Sequence, residues 1–218
     1  DEVMGLAQQP DVICLTGDYI STVADDFDQS DYVRILRRLS AAAPTLAVLG
    51  NHDGGLWAGR HWGLPDTNLV RGLLDRGGVE LLHNRPRTLD FARGRVQFAG
   101  VGDLWAKEVD PAAAFAGIQD AAEPIVVLAH NPDTKDELGE RYPWHLMLSG
   151  HTHGGQVWIP GFGTPFAPVK DQRYVEGLKQ WNGRWIQISL GVGVTVPIRL
   201  NCRPQVSIID LVPPTAEV

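Results

Sequence analysis

Short, almost wholly apolar runs recur along the chain at 11–16, 45–49, 124–129 and 145–149. Runs of this length bounded by turn-forming residues predict strands buried on both faces. Between them the apolar period lengthens. Val33, Ile35, Leu36 and Leu39 predict an amphipathic helix over Ser30–Ala43, with Ser30 as its N-cap. A second helix is predicted over Asp66–Arg76, opening at a capping Asp66 and closing at Gly77–Gly78. The stretches 79–82, 87–91 and 95–101 read as short strands joined by Asn, Pro and Gly turns. Pro111–Ala121 is Ala-rich and reads as a helix with Pro in its first turn. Late strands are predicted over 184–190 and 205–211. Residues 1–10 read as the last turns of a helix stopped by Pro10. A helix running straight into a buried strand is the second half of a βαβ unit, whose first strand is parallel and precedes it. No such strand precedes Asp1, so the chain is expected to begin inside its own domain; the alternative is a naturally short chain with a frayed first helix. The fold class expected is α/β, with two packed mixed β-sheets, helices outside and a single domain over 1–218.

The ends of the apolar runs are polar in a consistent way. They lead into Gly17-Asp18, Gly50-Asn51-His52-Asp53, His130-Asn131-Pro132-Asp133 and Gly150-His151-Thr152-His153-Gly154-Gly155. In open α/β sheets the carboxyl ends of strands are where sites are built. Taken singly, each segment reads as a turn, or as a satisfied core histidine. Together they supply Asp, Asn and imidazole donors of the kind that suit Mn, Fe, Co or Zn. His151 and His153 stand two apart, on one face of a strand or diverging toward separate ions in a tight turn. An Asp can bridge two ions about 3.5–4 Å apart, the spacing of two-metal hydrolytic sites.

The 218-residue chain is 44% hydrophobic and 21% charged, which excludes a disordered protein. Its longest apolar runs fall far short of the ~18 residues that a membrane span needs. Nineteen basic against twenty-six acidic residues leave a net charge of −7, which argues against nucleic acid as a partner. Two cysteines exclude a disulfide framework and a structural zinc knot; Cys14, inside an apolar run, reads as a packing residue. His61 and His83 lie outside the polar pattern; His83 reads as a surface or turn residue, and His145, at the start of a strand, as structural. Asp103, at the end of an apolar strand, either supports the site or caps a turn. Asp25, Asp26 and Asp28 read as a solvated acidic loop. Trp57 and Trp62, and Trp158, Phe162 and Phe166, follow two of the polar segments. Loops this aromatic either grip an apolar substrate or membrane face, or simply pack.

On the four polar segments the sequence resembles the calcineurin-like metallophosphoesterases. Gly150–Gln156, Arg173–Leu178, Gly191–Gly193 and Pro197–Cys202 are similar to the YkuE/YaeI-like phosphodiesterase branch, a pattern shared with a lipid-A-pathway pyrophosphatase subgroup. The resemblance implies a four-layer αββα fold and a hydrolase of phosphodiester or pyrophosphate bonds. It implies two divalent ions, Mn2+ first, with Zn2+, Fe or Co2+ as alternatives. Asp18 would bridge them; Asn51, His130 and His151 would complete one, and His153 would bind the other. His52, oriented by Asp53, would act beside the leaving-group oxygen, and a metal-bound hydroxide would attack phosphorus. The family's first motif, Asp-x-His, is absent from the chain, which leaves the second ion only Asp18 and His153. That absence agrees with the strand expected before Asp1. The partner implied is a phosphoester small molecule or lipid, with peripheral membrane contact and an exported or membrane-associated bacterial setting. The competing reading is a scaffold that keeps the fold with an incomplete site.

Overall fold

A computed structural model describes residues 9–23, 27–61, 63–118, 122–194 and 198–212. The elements in chain order begin with β1 (Ile13–Leu15), α1 (Gln29–Ala42), β2 (Thr45–Ala47), α2 (Leu56–Arg60), α3 (Asn68–Arg76) and β3 (Glu80–Leu81). Then come β4 (Arg85–Phe91), β5 (Gly94–Gly100), α4 (Pro111–Ala114), β6 (Ile125–Leu128), α5 (Thr134–Leu138), β7 (Leu146–Ser149), β8 (Gly177–Trp181) and β9 (Arg184–Ile188). The helix expected over 1–10 falls largely outside the described residues, as do Asp25, Asp26 and Trp62.

Two sheets form. One is parallel, in the order β1-β2-β3, with Ile13 opposite Thr45 and Leu46 opposite Glu80. The other is mixed, in the order β4-β5-β6-β7-β9-β8. Its central pairs, β5–β6, β6–β7 and β7–β9, are parallel, and the hairpins β4–β5 and β8–β9 flank them.

Three apolar clusters fill three interlayer spaces. Val33, Leu36, Val70, Leu73 and Leu74 press α1 and α3 onto Ala47 and Leu49. Leu46, Val48 and Leu82 meet Phe98, Val126, Leu128 and Leu146 between the sheets. Ile125, Val127, Met147, Ile186 and Ile188 face Phe115, Leu138 and Trp144 on the far side. Alternate residues of β2 and β6 thus serve opposite layers, which is why these strands read as unbroken apolar runs. The arrangement is two packed sheets flanked by helices.

Several local expectations need correction. Asp28, not Ser30, caps α1, its carboxylate accepting from the N–H groups of Ser30 (2.7 Å) and Asp31 (3.4 Å). The helix expected over 111–121 ends at Ala114, and Gly117 beyond it has a φ of 85°. The expected strand 205–211 is absent; the segment is tied by Gln205 N–H to the Gly191 carbonyl, with no ladder.

Cys14 packs against the inter-sheet core, and burial pushes its thiol up to about 12. The folded protein at pH 8 is expected to react with Ellman's reagent at Cys14 roughly a hundredfold or more slowly than the unfolded chain. Prompt stoichiometric reaction of the native protein would contradict that.

Candidate metal centre

Four strands deliver the polar segments to one place. β1 and β2 end side by side in the parallel sheet, and β6 and β7 end side by side in the mixed sheet. The loops after all four meet where the two sheets approach at their carboxyl edges.

His130 spans the gap. Its Nδ1–H donates to the Thr16 carbonyl at 2.6 Å. A carbonyl can only accept, so this bond fixes the tautomer and leaves Nε2 facing the site. Nε2 lies 3.1 Å from Asp18 Oδ2 and 3.1 Å from His151 Nδ1. One ligand atom from each of Asp18, His130 and His151 lies within 4.8 Å of the others. Both Asp18 and His151 hold left-handed backbone, with φ of 59° and 66°, a conformation that non-glycine residues adopt chiefly at functional sites and tight turns.

Asn51, His52 and His153 line the same cavity of about 390 Å3, with Asp18, His151, Trp105, Phe166 and Ile198 among its other walls. The His52 backbone N–H donates to Asp18 Oδ1 at 3.0 Å. The buried Asn51 Oδ1 has no partner among the described residues. Leaving such an atom unpaired is costly. An oxygen-and-imidazole donor set with an orphaned oxygen fits a divalent ion such as Mn, Fe, Co or Zn.

Asp53 sits beneath this cavity. Its carboxylate accepts from the N–H groups of Asp18 (2.8 Å), Tyr19 (2.6 Å), Ile20 (3.2 Å) and Gly50 (2.8 Å). It therefore ties the Asp18 loop to the Asn51 loop. No hydrogen bond joins it to the His52 ring, which corrects the expectation that Asp53 orients that ring. The His52 ring instead meets Trp57 edge-on, Trp57 packs on Trp105, and Trp105 meets His151 edge-on. Trp105 escaped the sequence reading; its signal was an aromatic residue two places after the strand-end Asp103.

His153 stands apart from the close cluster, in a 3-10 turn over 153–155. Arg199 holds it there. That guanidinium reaches His153 Nδ1 (3.5 Å), the Leu190 carbonyl (2.8 Å) and the Gly193 carbonyl (2.5 Å), and Cys202 Sγ donates to the His153 carbonyl at 3.0 Å. Asp103 caps the turn at Ala106 through Oδ1 (2.8 Å), while its buried Oδ2 has no partner among the described residues. His145 Nδ1 accepts from Ile125 N–H and is structural; His61 stacks on Trp57, and His83 lies 3.7 Å from Glu108, away from the cavity.

Comparison with known proteins decides the family. The calcineurin-like phosphoesterase family model matches residues 2–155. The chain belongs to the calcineurin-like phosphoesterase family. It is a metallophosphoesterase, a hydrolase of phosphoric ester bonds. It is 40% identical over 213 residues to phosphodiesterase YaeI of Escherichia coli, covering 96% of this chain and 73% of YaeI. It is 31% identical over 205 residues to the metallophosphoesterase YkuE of Bacillus subtilis, covering 93% of this chain and 68% of YkuE. A shorter match of 97 residues, 37% identical, joins it to UDP-2,3-diacylglucosamine pyrophosphatase LpxG of Chlamydia trachomatis, covering 44% of this chain and 28% of LpxG.

The electrostatics of this metallophosphoesterase centre favour a cation. Burial opposes the charge on Asp18, yet the facing His130 and His52 hold its carboxyl well below the usual carboxylate range. Burial also opposes the charge on His130, but Asp18 lifts it to about 9. Burial and the neighbouring His130 lower His151 to about 3. Burial, then the Asp18 charge, push Asp53 up to about 7 against its N–H donors.

Two predictions follow from this geometry. Without metal, His130 carries its extra proton below pH about 9, whereas His151 is neutral above pH about 3. Mn2+ capture at pH 7.5 must therefore release about one proton, and affinity should weaken roughly tenfold per unit as the pH falls. Titration calorimetry in buffers of different ionisation enthalpy measures this; zero proton release would contradict it. A Cβ on Gly50 would overlap Asp18 Oδ1 and stand 2.8 Å from His130 Cε1. Gly50→Ala should weaken Mn2+ binding at least tenfold and lower unfolding stability by about 1–3 kcal/mol, read by calorimetry and urea melts.

Proposed function

We propose that this site is dinuclear and that it hydrolyses a phosphodiester or pyrophosphate bond. The observation that carries the proposal is the meeting of Asp18, His130 and His151, with the unpaired Asn51 Oδ1, at one cavity. Asp18 would be shared between the two ions. Asn51, His130 and His151 would hold one ion, and His153, steadied by Arg199, would hold the other with Asp18. Mn2+ suits this mixture of oxygen and imidazole donors, and Zn2+, Fe and Co2+ are compatible with it. The ions, when bound, supply Lewis acidity that acidifies water and offsets charge on the phosphoryl oxygens.

The remaining work falls to this chain's own residues. His52 lies on the cavity wall, where its imidazole can give a proton or a hydrogen bond to the leaving-group oxygen. Its backbone N–H meanwhile fixes Asp18 Oδ1. Trp57 and Trp105 brace the His52 and His151 rings and limit water at that wall. Asp53 acts as a positioning residue, since its hydrogen bonds hold the two ligand loops at one spacing. YaeI is named a phosphodiesterase and LpxG a pyrophosphatase of a diacylated sugar nucleotide. A substrate of either bond class, carried by a small molecule or a lipid, is consistent with apolar walls at Trp105, Phe166 and Ile198.

The test is hydrolysis of bis-p-nitrophenyl phosphate with added Mn2+. Turnover is expected to require the metal, and His52→Ala should reduce kcat by roughly 10²–10⁴-fold while leaving metal content unchanged. Absence of turnover with any divalent metal, together with no bound ion, would favour a scaffold instead.

A further inference from the structure

The surface beside the metal cavity is apolar, aromatic and firmly built. Ile159 N–H donates to the Gly163 carbonyl (2.8 Å), and the N–H groups of Phe162 (3.0 Å) and Gly163 (2.9 Å) return to the Ile159 carbonyl. This closes a tight turn with Gly161 and Gly163 at φ of 82° and 73°. Phe162 stands at its tip, 84% exposed. Trp158 N–H donates to the Leu200 carbonyl, and Leu200 N–H donates to the Gln156 carbonyl, each at 2.9 Å. These two bonds lash the turn to the segment bearing Ile198 and Leu200. Asn201 adds a side-chain bond to the Trp158 carbonyl at 3.2 Å. Phe166 is 74% exposed, and Trp158, Ile159, Ile198 and Leu200 are also exposed. Phe166 and Ile198 are at the same time walls of the metal cavity. Exposed apolar side chains therefore reach the cavity itself through Phe166 and Ile198. Large apolar groups gathered in the open beside a site mark a place where something is met.

Charge indicates what it meets. The chain is acidic overall, but the segments 156–170 and 198–206 that carry this face contain Lys170, Arg199 and Arg203 and no Asp or Glu. Asp171, which follows Lys170, is paired with Arg173 at 2.6 Å. Arg199 is occupied by backbone carbonyls and His153. Lys170 remains exposed on the segment that carries the aromatic residues, and Arg203 on the segment that carries Ile198 and Leu200. Amphipathic aromatic side chains settle at the headgroup level of a bilayer, and neighbouring cations are drawn to anionic lipid. No helix among the described residues is long and apolar enough to cross a membrane, so contact through this face would be with the surface.

We propose that Trp158, Ile159, Phe162 and Phe166, with Ile198 and Leu200, form an interfacial docking surface for an anionic lipid bilayer. Phe162 and Trp158 enter the headgroup layer, and Lys170 and Arg203 face the lipid phosphates. Docking here sets the cavity mouth against the membrane. That a lipid-borne phosphoester then enters the cavity rests on the phosphoesterase reading above; the docking itself does not.

The experiment is co-sedimentation of the protein with vesicles of phosphatidylcholine alone, and of phosphatidylcholine with one quarter phosphatidylglycerol. Partition into the anionic vesicles is expected to exceed that into neutral ones by roughly tenfold or more and to fall in 0.5 M NaCl. Trp158→Ser/Phe162→Ser should lose roughly tenfold of that partition and keep full turnover of soluble bis-p-nitrophenyl phosphate. Should the double variant fail to fold, Phe162→Ser alone, at the exposed tip, is expected to lose part of the partition. The proposal is overturned if the parent ignores anionic vesicles, binds neutral ones equally, or binds no better than the folded variant. It is also overturned if the parent forms a concentration-dependent dimer through these residues and does not bind lipid. Vesicle binding without any hydrolysis would support the docking surface and defeat the phosphoesterase reading; hydrolysis without vesicle binding would do the reverse.

Discussion

A single imidazole joins the two sheets at the point where everything functional is gathered. His130 leaves β6 in the mixed sheet and donates to the Thr16 carbonyl after β1 in the parallel sheet. Its other nitrogen faces Asp18 from that same loop. The bridge works only if both layers come unusually close. Gly17 and Gly50 allow this, since a Cβ on Gly17 would stand 2.5 Å from Gly50 N and 2.8 Å from His130 Nδ1. Asp53 supplies the complementary tie within the parallel sheet, gathering N–H groups from both of its ligand loops. The three apolar interlayer clusters set the depth of the stack, and the polar bridge sets the register of its edge.

The same constraint explains the electrostatics. A carboxylate and two imidazoles packed this tightly are poorly solvated, and metal-free they are balanced by a proton shared around His130. A divalent cation bound there, as proposed, would replace that proton and satisfy the Asn51 oxygen at the same time. The Trp57–Trp105 wall then braces the His52 and His151 rings from outside the donor set.

Much of this was legible in the sequence, for physical reasons. Strands buried on both faces must be apolar throughout, so 45–49 and 124–129 announced themselves, and the polar residues at their ends had no packing purpose. Distance was not legible. Nothing in the spacing distinguished His153, set apart on its Arg199 mount, from His151 within the close cluster. Asp53 looked like a partner for the adjacent His52, but four backbone N–H groups outcompete one ring. Helix α5 and the short α2 carry too few residues to show a period. Edge strand β8 exposes Leu178 and Gln180 and half-buries Lys179, the reverse of an apolar-in, polar-out alternation, so it gives no strand signal. The segment 205–211 alternates like a strand, yet β9 is already paired on both sides by β7 and β8, so alternation alone found no ladder to join.

The central claim is that four strand ends from two sheets build one cation cage. Anomalous diffraction from crystals soaked in Mn2+ tests it most directly. The account predicts a strong peak in direct contact with Asp18, Asn51, His130 and His151, and a second beside Asp18 and His153. Crystals without a peak there, or with Mn2+ bound only at other carboxylates, would contradict it.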